Sequence, residues 1–489
     1  MATAETNSLE LAHDQLYINQ QWVDGSNGDR LDIINPATEE AFANIAYGTA
    51  EDARLALEAA QAALPGWQKL TVYDRARKLK RVAELMREKV DYLALALTME
   101  QGKPLAEARA ETMASADTFE WFAEEGKRAY GRMIPPSAPH KRLFTLRHPV
   151  GVCAAVSPWN FPLILQARKL APALAVGCTT VSRPASQTPL SLMRLFEIFE
   201  EVDLPPGVVN LVAGPAQPLM DEFMNNRICR KISFTGSTEV GKQLMSQASH
   251  QMKRMSLELG GHAPVIIFPD VDIEAIAKVS VIGKFRNNGQ VCICPTRFYA
   301  HHSIASDYIE ACVEETKQLT LGNGLDPDVN IGPMFEAKAL EKADRIVSDA
   351  RDKGARCLLG GERASRFEKG FFYEPTILTD IQPDMALMTD EPFAPVMPIM
   401  DFDSIDEAIA RANATEFGLA AYVLTNDLSA AFKMAEGLEF GTIGINDTVP
   451  ATPQLPFGGL KESGLARENG IEGMDAYLET KAISIAIQD

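Results

Sequence analysis

Cys292 is the residue whose surroundings point most directly to chemistry. It lies in the segment FRNNGQVCICPTR, where amide side chains and Gly289 precede it. A cysteine that serves only as packing has apolar neighbours, whereas these neighbours are polar and Gly289 permits close backbone approach. The segment therefore favours a thiolate nucleophile, and a purely structural cysteine is the alternative.

Cys294 follows in the short motif Cys-Ile-Cys. The seven cysteines of the chain show neither the spacing of a disulfide framework nor that of a zinc site, so we expect no metal. We expect oxidants to join Cys292 and Cys294 in a strained, easily reduced disulfide that removes the nucleophile reversibly. The alternative is that Cys294 only fills space behind Cys292.

Two further segments carry polar groups beside apolar runs. Glu258, in LELGGHAP, precedes two glycines that would leave its carboxylate mobile at the end of a strand. It is a candidate general base, or else an exposed loop carboxylate. Trp159 and Asn160, in SPWNFP, follow a predicted strand and either contact a ligand or form a proline-bounded loop with a packed indole.

The segment FTGSTEVGK, residues 234–242, is a candidate phosphate site. Gly236 allows a tight turn from strand to helix, and Ser237 and Thr238 lie where N–H groups and hydroxyls meet a phosphate at a helix N-terminus. An ordinary turn with a Ser or Thr cap is the alternative, because no GxGxxG motif accompanies the segment.

The elements that must position these residues alternate from Val150 onward. Short β-rich runs such as GVCAAV, TTVS, VVNLVAG and KISFTG alternate with longer segments of helical periodicity, ending at MSLELGG. The alternation predicts crossover helices and a doubly wound parallel sheet of the Rossmann type. Such sheets bind ligands at the carboxyl ends of their strands.

The rest of the chain completes an α/β fold class. Residues 16–34 predict a hairpin that turns within DGSNGD, and helical periodicity runs from Asp74, the expected N-cap, to about Tyr130. A second α/β unit is expected over residues 261–474, followed by the strand-like run AISIAI.

Composition excludes several functions. The chain has 489 residues and a formal net charge of -19, so its surface repels nucleic acids and anionic lipids. The polar stretch 1–15 lacks the apolar core of a signal peptide, and the odd number of cysteines fits a reducing compartment. We therefore expect a cytoplasmic protein without nucleic-acid or membrane partners, in which a local basic pocket attracts any anionic ligand.

Six motifs together are similar to those of the aldehyde dehydrogenase superfamily. SPWNFP, FTGSTEVGK, LELGG, GQVCICPTRF, EPFAPV and PFGGLKESGLARE occur in that family's order and approximate spacing, and the resemblance extends from residue 16 to the final strand. The stretches EWFAEEGKRAYGR, LELGGHAP and KFRNNGQVCICPTRF resemble the succinic-semialdehyde and 2-oxoglutaric-semialdehyde dehydrogenase branch. The resemblance implies NAD(P)⁺-dependent oxidation of an aldehyde through a thioester.

The resemblance also implies a role for each matching residue. The catalytic roles are nucleophile for Cys292, general base for Glu258 and side-chain oxyanion donor for Asn160. The cofactor contacts are Trp159 and Ser237 at the pyrophosphate with Gly236 in the same turn, Glu391 at the nicotinamide ribose, and Phe393 beside it.

Two departures from the family pattern concern the cofactor. In VSRPASQTP, Arg183 replaces the usual lysine, and Ser186 replaces the glutamate common in NAD-preferring members. Glutamate would repel a 2′-phosphate, whereas serine removes the repulsion and arginine offers a fork for phosphate. We expect NADP⁺ to be preferred and NAD⁺ tolerated; a solvated loop cation is the alternative for Arg183. A third departure, Ala394 for the usual glycine, affects the loop that carries Glu391.

Arg168 and Arg286 match arginines that hold the substrate carboxylate in the succinic-semialdehyde branch, and Thr452 is expected to add a hydroxyl. A structural ion-pair arginine is the alternative for each. The expected substrate is a small anionic aldehyde, first of all succinate semialdehyde. Because two arginines recognise an anion and not its length, 2-oxoglutarate and glutarate semialdehyde stay open. A non-enzymatic protein on this fold is the remaining rival.

The resemblance further divides the chain into parts. We expect a cofactor-binding domain of residues 1–127 and 149–258, a catalytic domain of residues 259–474, and a small β oligomerisation segment of residues 128–148 and 475–489. A homodimer or homotetramer is therefore expected.

Overall fold

The computed structural model describes residues 9–488, so the stretch 1–15 and the outer domain limits at residues 1 and 489 lie partly outside the described residues. Up to residue 149, two short antiparallel ladders precede a layer of four helices and one longer strand. These elements are β1 (Leu16–Ile18), β2 (Gln21–Val23), β3 (Arg30–Asn35), β4 (Glu40–Ala46), α1 (Ala50–Lys69), α2 (Val72–Glu88), α3 (Val90–Gln101), α4 (Leu105–Glu125), β5 (Met133–Ile134) and β6 (Lys141–Pro149).

The predicted alternation after Val150 is confirmed. Its elements are β7 (Val152–Val156), α5 (Pro162–Val176), β8 (Thr179–Arg183), α6 (Leu190–Glu201), β9 (Val209–Leu211), α7 (Ala216–Asn225), β10 (Cys229–Thr235), α8 (Thr238–Ala248) and β11 (Arg254–Glu258). The strands lie in the parallel order β9-β8-β7-β10-β11. The chain first moves outward from β7 and then returns to its other side, which places a topological switch point between β7 and β10.

The second α/β unit follows. Its elements are β12 (Ala263–Ile267), α9 (Ile273–Phe285), β13 (Pro295–His301), α10 (Ala305–Thr316), α11 (Ala337–Asp352), β14 (Arg356–Leu359), β15 (Thr376–Thr379), α12 (Ala386–Thr389), β16 (Val396–Phe402), α13 (Ile405–Asn413), β17 (Phe417–Gly418), β18 (Ala420–Leu424), α14 (Leu428–Gly437), β19 (Thr442–Ile445), β20 (Leu460–Lys461), β21 (Gly464–Leu465), α15 (Gly470–Asp475) and β22 (Leu478–Ala486). Its sheet has the order β14-β15-β16-β13-β12-β18-β19, antiparallel only at β14.

Two returns of the chain connect these parts. Strand β21 pairs with β11 at the edge of the first sheet, where Glu258 lies opposite Gly464. Strand β22 pairs along the whole of β6 and, with β5, forms a separate three-stranded sheet. Among the described residues, no helix is long and apolar enough to cross a membrane.

Two local predictions were wrong. The run LYINQQWV is itself a hairpin, because Asn19 and Gln20 take left-handed backbone conformations and turn β1 into β2; β3 pairs with β4 instead. Helix α2 begins earlier than predicted, since Thr71 is its N-cap and Asp74 supplies the other half of a capping box.

Candidate active site

Cys292 lies on the loop between α9 and β13, at the amino end of the second sheet. Three residues before it have positive φ angles, 47° for Asn287, 58° for Asn288 and 73° for Gly289. A Cβ on Gly289 would lie 2.4 Å from the carbonyl oxygen of Ala394, so the close approach predicted for this glycine is present. The loop that carries Cys292 is thus tightly constrained on the side facing Ala394.

The amide side chains of this loop hold it in place. Asn287 Nδ2 donates to the backbone carbonyl of Asn160 at 3.0 Å. The side-chain oxygen of Gln290 accepts from the N–H of Phe335 at 2.9 Å. These polar neighbours of Cys292 therefore connect three distant segments.

The side chain of Cys292 borders two cavities. The larger, about 350 Å³, lies at the carboxyl ends of β7, β10 and β11 and is called the cleft below. The smaller, about 230 Å³, lies against α4, α5 and residues 449–457 and is called the tunnel. A ligand in either cavity reaches the same thiol.

The cleft has an anion-binding end. Ser237 caps α8, its Oγ accepting from the N–H of Val240 at 3.4 Å. Gly236 turns the chain from β10 to α8, and a Cβ there would meet the Phe234 ring at 2.4 Å. Both residues line the cleft, so the positive end of the α8 dipole faces it.

Three aromatic rings meet at the cleft. Trp159 stacks on Phe335 with ring centres 4.1 Å apart and planes 7° apart, and the Phe393 ring stands perpendicular to the indole at 5.7 Å. The sequence pointed to Trp159 and Phe393, but not to Phe335. No local motif marks Phe335, which is recognisable only by its contact.

Glu391 also lines the cleft. Its Oε1 accepts from the N–H of Gly261 at 3.1 Å, and burial raises the pKa of its carboxyl to about 7. Lys342, which the sequence analysis missed, also lines the cleft and donates to the Glu391 carbonyl at 2.6 Å. The loop that contains Ala394 thus carries an acceptor group into the cleft.

Asn160 lies beside Cys292 in the cleft. Its Nδ2 donates to the Gln290 carbonyl at 3.0 Å, which leaves one N–H of that amide without an acceptor among the described residues. Its backbone carbonyl accepts from Lys103 Nζ at 2.8 Å. The residue is therefore held at its backbone while one side-chain donor stays available to a ligand.

The Cys292 thiol is protonated in this arrangement. Burial raises its pKa to about 12, and the positive charge of Arg168 opposes this shift. Only a small fraction of the thiol is therefore ionised at neutral pH in this arrangement.

Glu258 ends β11 but lines neither cavity. It is 2 % exposed, and neither carboxylate oxygen has a hydrogen-bond partner among the described residues. Burial, and next the charge of Glu468, raise the pKa of this carboxyl well above its usual range. The carboxylate is thus buried rather than exposed, behind the wall of the cavities and close enough to influence the Cys292 thiol.

A buried ion pair, absent from the sequence analysis, lies next to Glu258. Lys169 on α5 pairs with Glu468 and donates to Thr235 Oγ1 at 2.6 Å. The two residues are 299 positions apart in the chain, so no local pattern signals them.

The tunnel contains both predicted arginines. The Arg168 guanidinium lies 4.5 Å from the centre of the Phe457 ring, and its Nε has no partner among the described residues. The Arg286 guanidinium lies 5.6 Å from the centre of the Phe161 ring. Both line the tunnel with Cys292, and neither forms a salt bridge within the described residues.

Other predicted contacts are placed differently. Thr452 is not part of the tunnel wall, which Val449 and Ala451 of the same loop supply, and its carbonyl accepts from Asn469. Two carboxylates that the sequence analysis missed, Glu107 and Glu111 of α4, also line the tunnel.

Arg183 and Ser186 lie together at the carboxyl end of β8. The Arg183 Nη2 donates to Ser186 Oγ at 3.2 Å and to the Gly214 carbonyl at 3.0 Å. The guanidinium is buried, which lowers its pKa, so a solvated loop cation does not describe it. Neither residue is among those that line the cleft, and β8 lies beside β7, whose carboxyl end borders it.

Comparison with known proteins gives one consistent result. Residues 22–483 match the profile described as "Aldehyde dehydrogenase family". The chain is 44% identical over 484 residues to glutarate-semialdehyde dehydrogenase of Pseudomonas putida, covering 99% of the chain and 100% of that protein. It is 44% identical over 481 residues to an NADP⁺ succinate-semialdehyde dehydrogenase of Escherichia coli, covering 98% and 99%. The crystal structure of an NADP-dependent enzyme of E. coli superposes with a TM-score of 0.95 at 44% identity, covering 97% of this chain and 98% of the other.

The raised pKa of Cys292 predicts how the free protein reacts with iodoacetamide. Below a pKa of about 12 the thiolate fraction grows about tenfold per pH unit, so the alkylation rate should still rise between about pH 8.5 and 9.5. Mass spectrometry of the peptide 287–297 in a Cys294→Ala background measures the rate, with a short unstructured cysteine peptide as control. The thiolate fraction of the control, with a pKa of about 8.5, rises only about twofold over the same interval, and a rise as small as that at Cys292 would contradict the assignment.

Proposed function

Because the chain belongs to the aldehyde dehydrogenase family, we propose that it oxidises a small carboxylate-bearing aldehyde, in the first place succinate semialdehyde, with NADP⁺ preferred. The observation that carries the proposal is the tunnel, in which two arginines without salt bridges in the described part of the chain lie on the way to Cys292. A desolvated carboxylate is tolerated only where charged donors replace its water.

The thiol of Cys292 starts the reaction. As a thiolate it adds to the aldehyde carbon, and the oxygen that becomes negative is held by Asn160 Nδ2 and the N–H of Cys292. When bound, a nicotinamide cofactor accepts the hydride that leaves the tetrahedral carbon. A thioester on Cys292 remains.

Glu258 completes the cycle as general base. Its carboxyl must move toward the thioester, since it lines neither cavity in the resting arrangement, and it must lose the proton that burial favours. It then activates the water that releases the acid. The two glycines that follow Glu258 support this movement.

The cleft fits a dinucleotide. Its switch-point position, the turn at Gly236 that a Cβ would obstruct, and the N-terminus of α8 suit a pyrophosphate. Glu391 would accept from ribose hydroxyls near Cys292, and Trp159 and Phe393 would flank the pyrophosphate and ribose.

Arg183 and Ser186 support the NADP⁺ preference. The Arg183 side chain has no carboxylate partner among the described residues, and its only polar contacts are Ser186 Oγ and the Gly214 carbonyl. A 2′-phosphate offers the guanidinium a stronger, bidentate acceptor than either. One E. coli relative is named as NADP⁺-dependent, which agrees with this proposal.

Glutarate semialdehyde is a second candidate substrate. The P. putida relative named for it is as similar to this chain as the relative named for succinate semialdehyde, 44% in both cases. The same arginines would hold either acid, since the two substrates differ by one methylene.

We also propose that the chain acts as a homo-oligomer. The sheet β5-β6-β22 is thin and bears exposed apolar side chains at Met133, Ile134, Leu146 and Ile485. A second copy of this chain would cover them.

The separate roles proposed for Cys292 and Glu258 are testable by pre-steady-state and steady-state kinetics. We expect Cys292→Ala to abolish turnover, and Glu258→Gln to give a normal burst of reduced cofactor followed by little steady turnover. The replacements Cys357→Ala on β14 and Glu310→Gln on the exposed face of α10 are the controls, because neither residue lines either cavity. Near-normal steady rates in Cys292→Ala would refute the nucleophile assignment.

The cofactor preference is testable by adding one negative charge at position 186. We expect higher kcat/KM with NADP⁺ than with NAD⁺, and an eroded or reversed ratio in Ser186→Glu, where a carboxylate would face the 2′-phosphate. Ser303→Glu adds the same charge at an exposed position on another part of the surface and should leave the ratio unchanged. A wild-type enzyme that strongly prefers NAD⁺ would contradict the role of Arg183.

The carboxylate pocket is tested by Arg168→Ala and Arg286→Ala. Each should raise the KM for succinate semialdehyde about tenfold to a hundredfold, because a charge-assisted hydrogen bond contributes about 1.5–3 kcal/mol. Butanal, which lacks the carboxylate, should be affected far less, and Arg109→Ala on the exposed face of α4 should affect neither. A parallel fall for both aldehydes, or a wild-type preference for butanal, would remove the basis for a semialdehyde substrate.

A further inference from the structure

Lys284 and Cys294 form an isolated polar pair behind the nucleophile. Lys284, near the end of α9, is 0 % exposed, and its Nζ lies 3.5 Å from Cys294 Sγ. Cys294 is 3 % exposed. Among residues 9–488, no carboxylate lies within salt-bridge distance of Lys284, and this thiol is its only side-chain hydrogen-bond partner.

A fully buried lysine normally requires a carboxylate. Here the sole counter-group is a thiol, so the pair is either an amine beside a thiol or an ammonium beside a thiolate. Burial lowers the pKa of Lys284, and Cys294 is the charge that opposes this shift. In either state one proton is shared between a good nitrogen nucleophile and an oxidisable sulfur.

The surrounding contacts keep the two atoms together. Cys294 Sγ also contacts the Lys284 carbonyl at 3.5 Å and the Pro295 carbonyl at 3.4 Å. The N–H of Cys294 donates to Val291 at 2.9 Å, and Tyr422 donates to the Ile293 carbonyl at 2.6 Å. The sulfur is therefore fixed against α9.

Small oxidants have a short route to this sulfur. Val291, Cys292 and Ile293 line the tunnel, so Cys294 lies one residue behind the wall of a cavity that admits molecules larger than hydrogen peroxide. The amine of Lys284 is then the nearest nucleophile to any sulfenic acid formed there.

We propose that hydrogen peroxide converts Cys294 and Lys284 into a sulfenamide cross-link, a modification site that goes beyond the oxidation of aldehydes. In the first step the thiolate attacks peroxide, the O–O bond breaks and Cys294 sulfenic acid forms, while the departing hydroxide takes a proton from the Lys284 ammonium and becomes water. In the second step the Lys284 amine attacks the sulfenic sulfur. An S–N bond forms, the S–O bond breaks, and the departing hydroxide leaves as water with a proton from nitrogen.

The balance is one thiol, one amine and one peroxide giving one sulfenamide and two waters, with sulfur oxidised by two electrons and peroxide reduced by two. The link joins the loop that carries Cys292 and Cys294 covalently to α9. It also uses up the sulfur that would otherwise join Cys292 in a disulfide, so the two products exclude each other.

The experiment uses the full-length protein as purified, treated with dilute hydrogen peroxide and digested with trypsin without a reducing agent. Cleavage after Lys284 should fail, and residues 279–286 should appear joined to residues 287–297, lighter than the sum of the two peptides by two hydrogen atoms. Fragmentation should locate the link at Cys294, and dithiothreitol should release it.

Variants make the assignment specific. Lys284→Met, an apolar replacement of similar length, should lose the linked species completely, and so should Cys294→Ala. Lys278→Met, the same substitution on the exposed face of α9, should retain the link at the wild-type yield, now on residues 255–286 because trypsin no longer cleaves after position 278. The wild-type measurement stands even if a variant fails to fold. A Cys292–Cys294 disulfide, or only sulfinic and sulfonic acid at Cys294, in place of the linked peptides would overturn the proposal.

Discussion

The arrangement around Cys292 depends on the buried ion pair between Lys103 and Glu111. Lys103 Nζ donates to this carboxylate and to the Asn160 carbonyl, and it lies 3.7 Å from the centre of the Phe161 ring. The other oxygen of Glu111 accepts from the N–H groups of Leu163 and Ile164 at 3.0 and 3.2 Å, which caps α5. Loss of either partner would leave an uncompensated buried charge, at a cost of about 3–5 kcal/mol. The segment that carries Asn160 is therefore fixed by a residue pair outside it.

The same helix also fixes the loop that carries Cys292. Glu107 lies one turn before Glu111 on α4, and both of its oxygens accept from the N–H of Asn287, at 3.2 and 3.0 Å. Asn287 in turn donates to the Asn160 carbonyl. The carboxyl ends of the first sheet and the amino end of the second thus meet across one face of α4. The rule that ligands bind at carboxyl ends describes the cleft, whereas Cys292 comes from the opposite end of another sheet.

The sequence could predict those features that depend on local periodicity or on a recognisable motif. The strand-helix alternation predicted the first sheet because each parallel strand and crossover helix has its own periodicity, and the motif segments brought Cys292, Asn160, Trp159 and Glu391 to one cleft. The first hairpin was misjudged because Asn19 and Gln20 turn without glycine. Lys103, Phe335 and Lys169 could not be found, since their contacts with Asn160, Gln290 and Glu468 bridge 57, 45 and 299 positions of the chain.

Under the proposed function, the charged groups around Cys292 determine how its thiol can lose a proton. The positive charge of Arg168 favours the Cys292 thiolate more than any other charge does, and Arg168 is also the proposed partner of the substrate carboxylate. A bound anion would neutralise part of that support, so the substrate alone cannot ionise the thiol. The proton needs an acceptor, and Glu258 is near, with burial and Glu468 raising its pKa and hence its basicity. A carboxyl that burial keeps protonated must lose its proton before it can accept the thiol proton, and it must release that proton in turn before it accepts one from the attacking water. Both proposed roles of Glu258 therefore require a route by which protons leave the buried site.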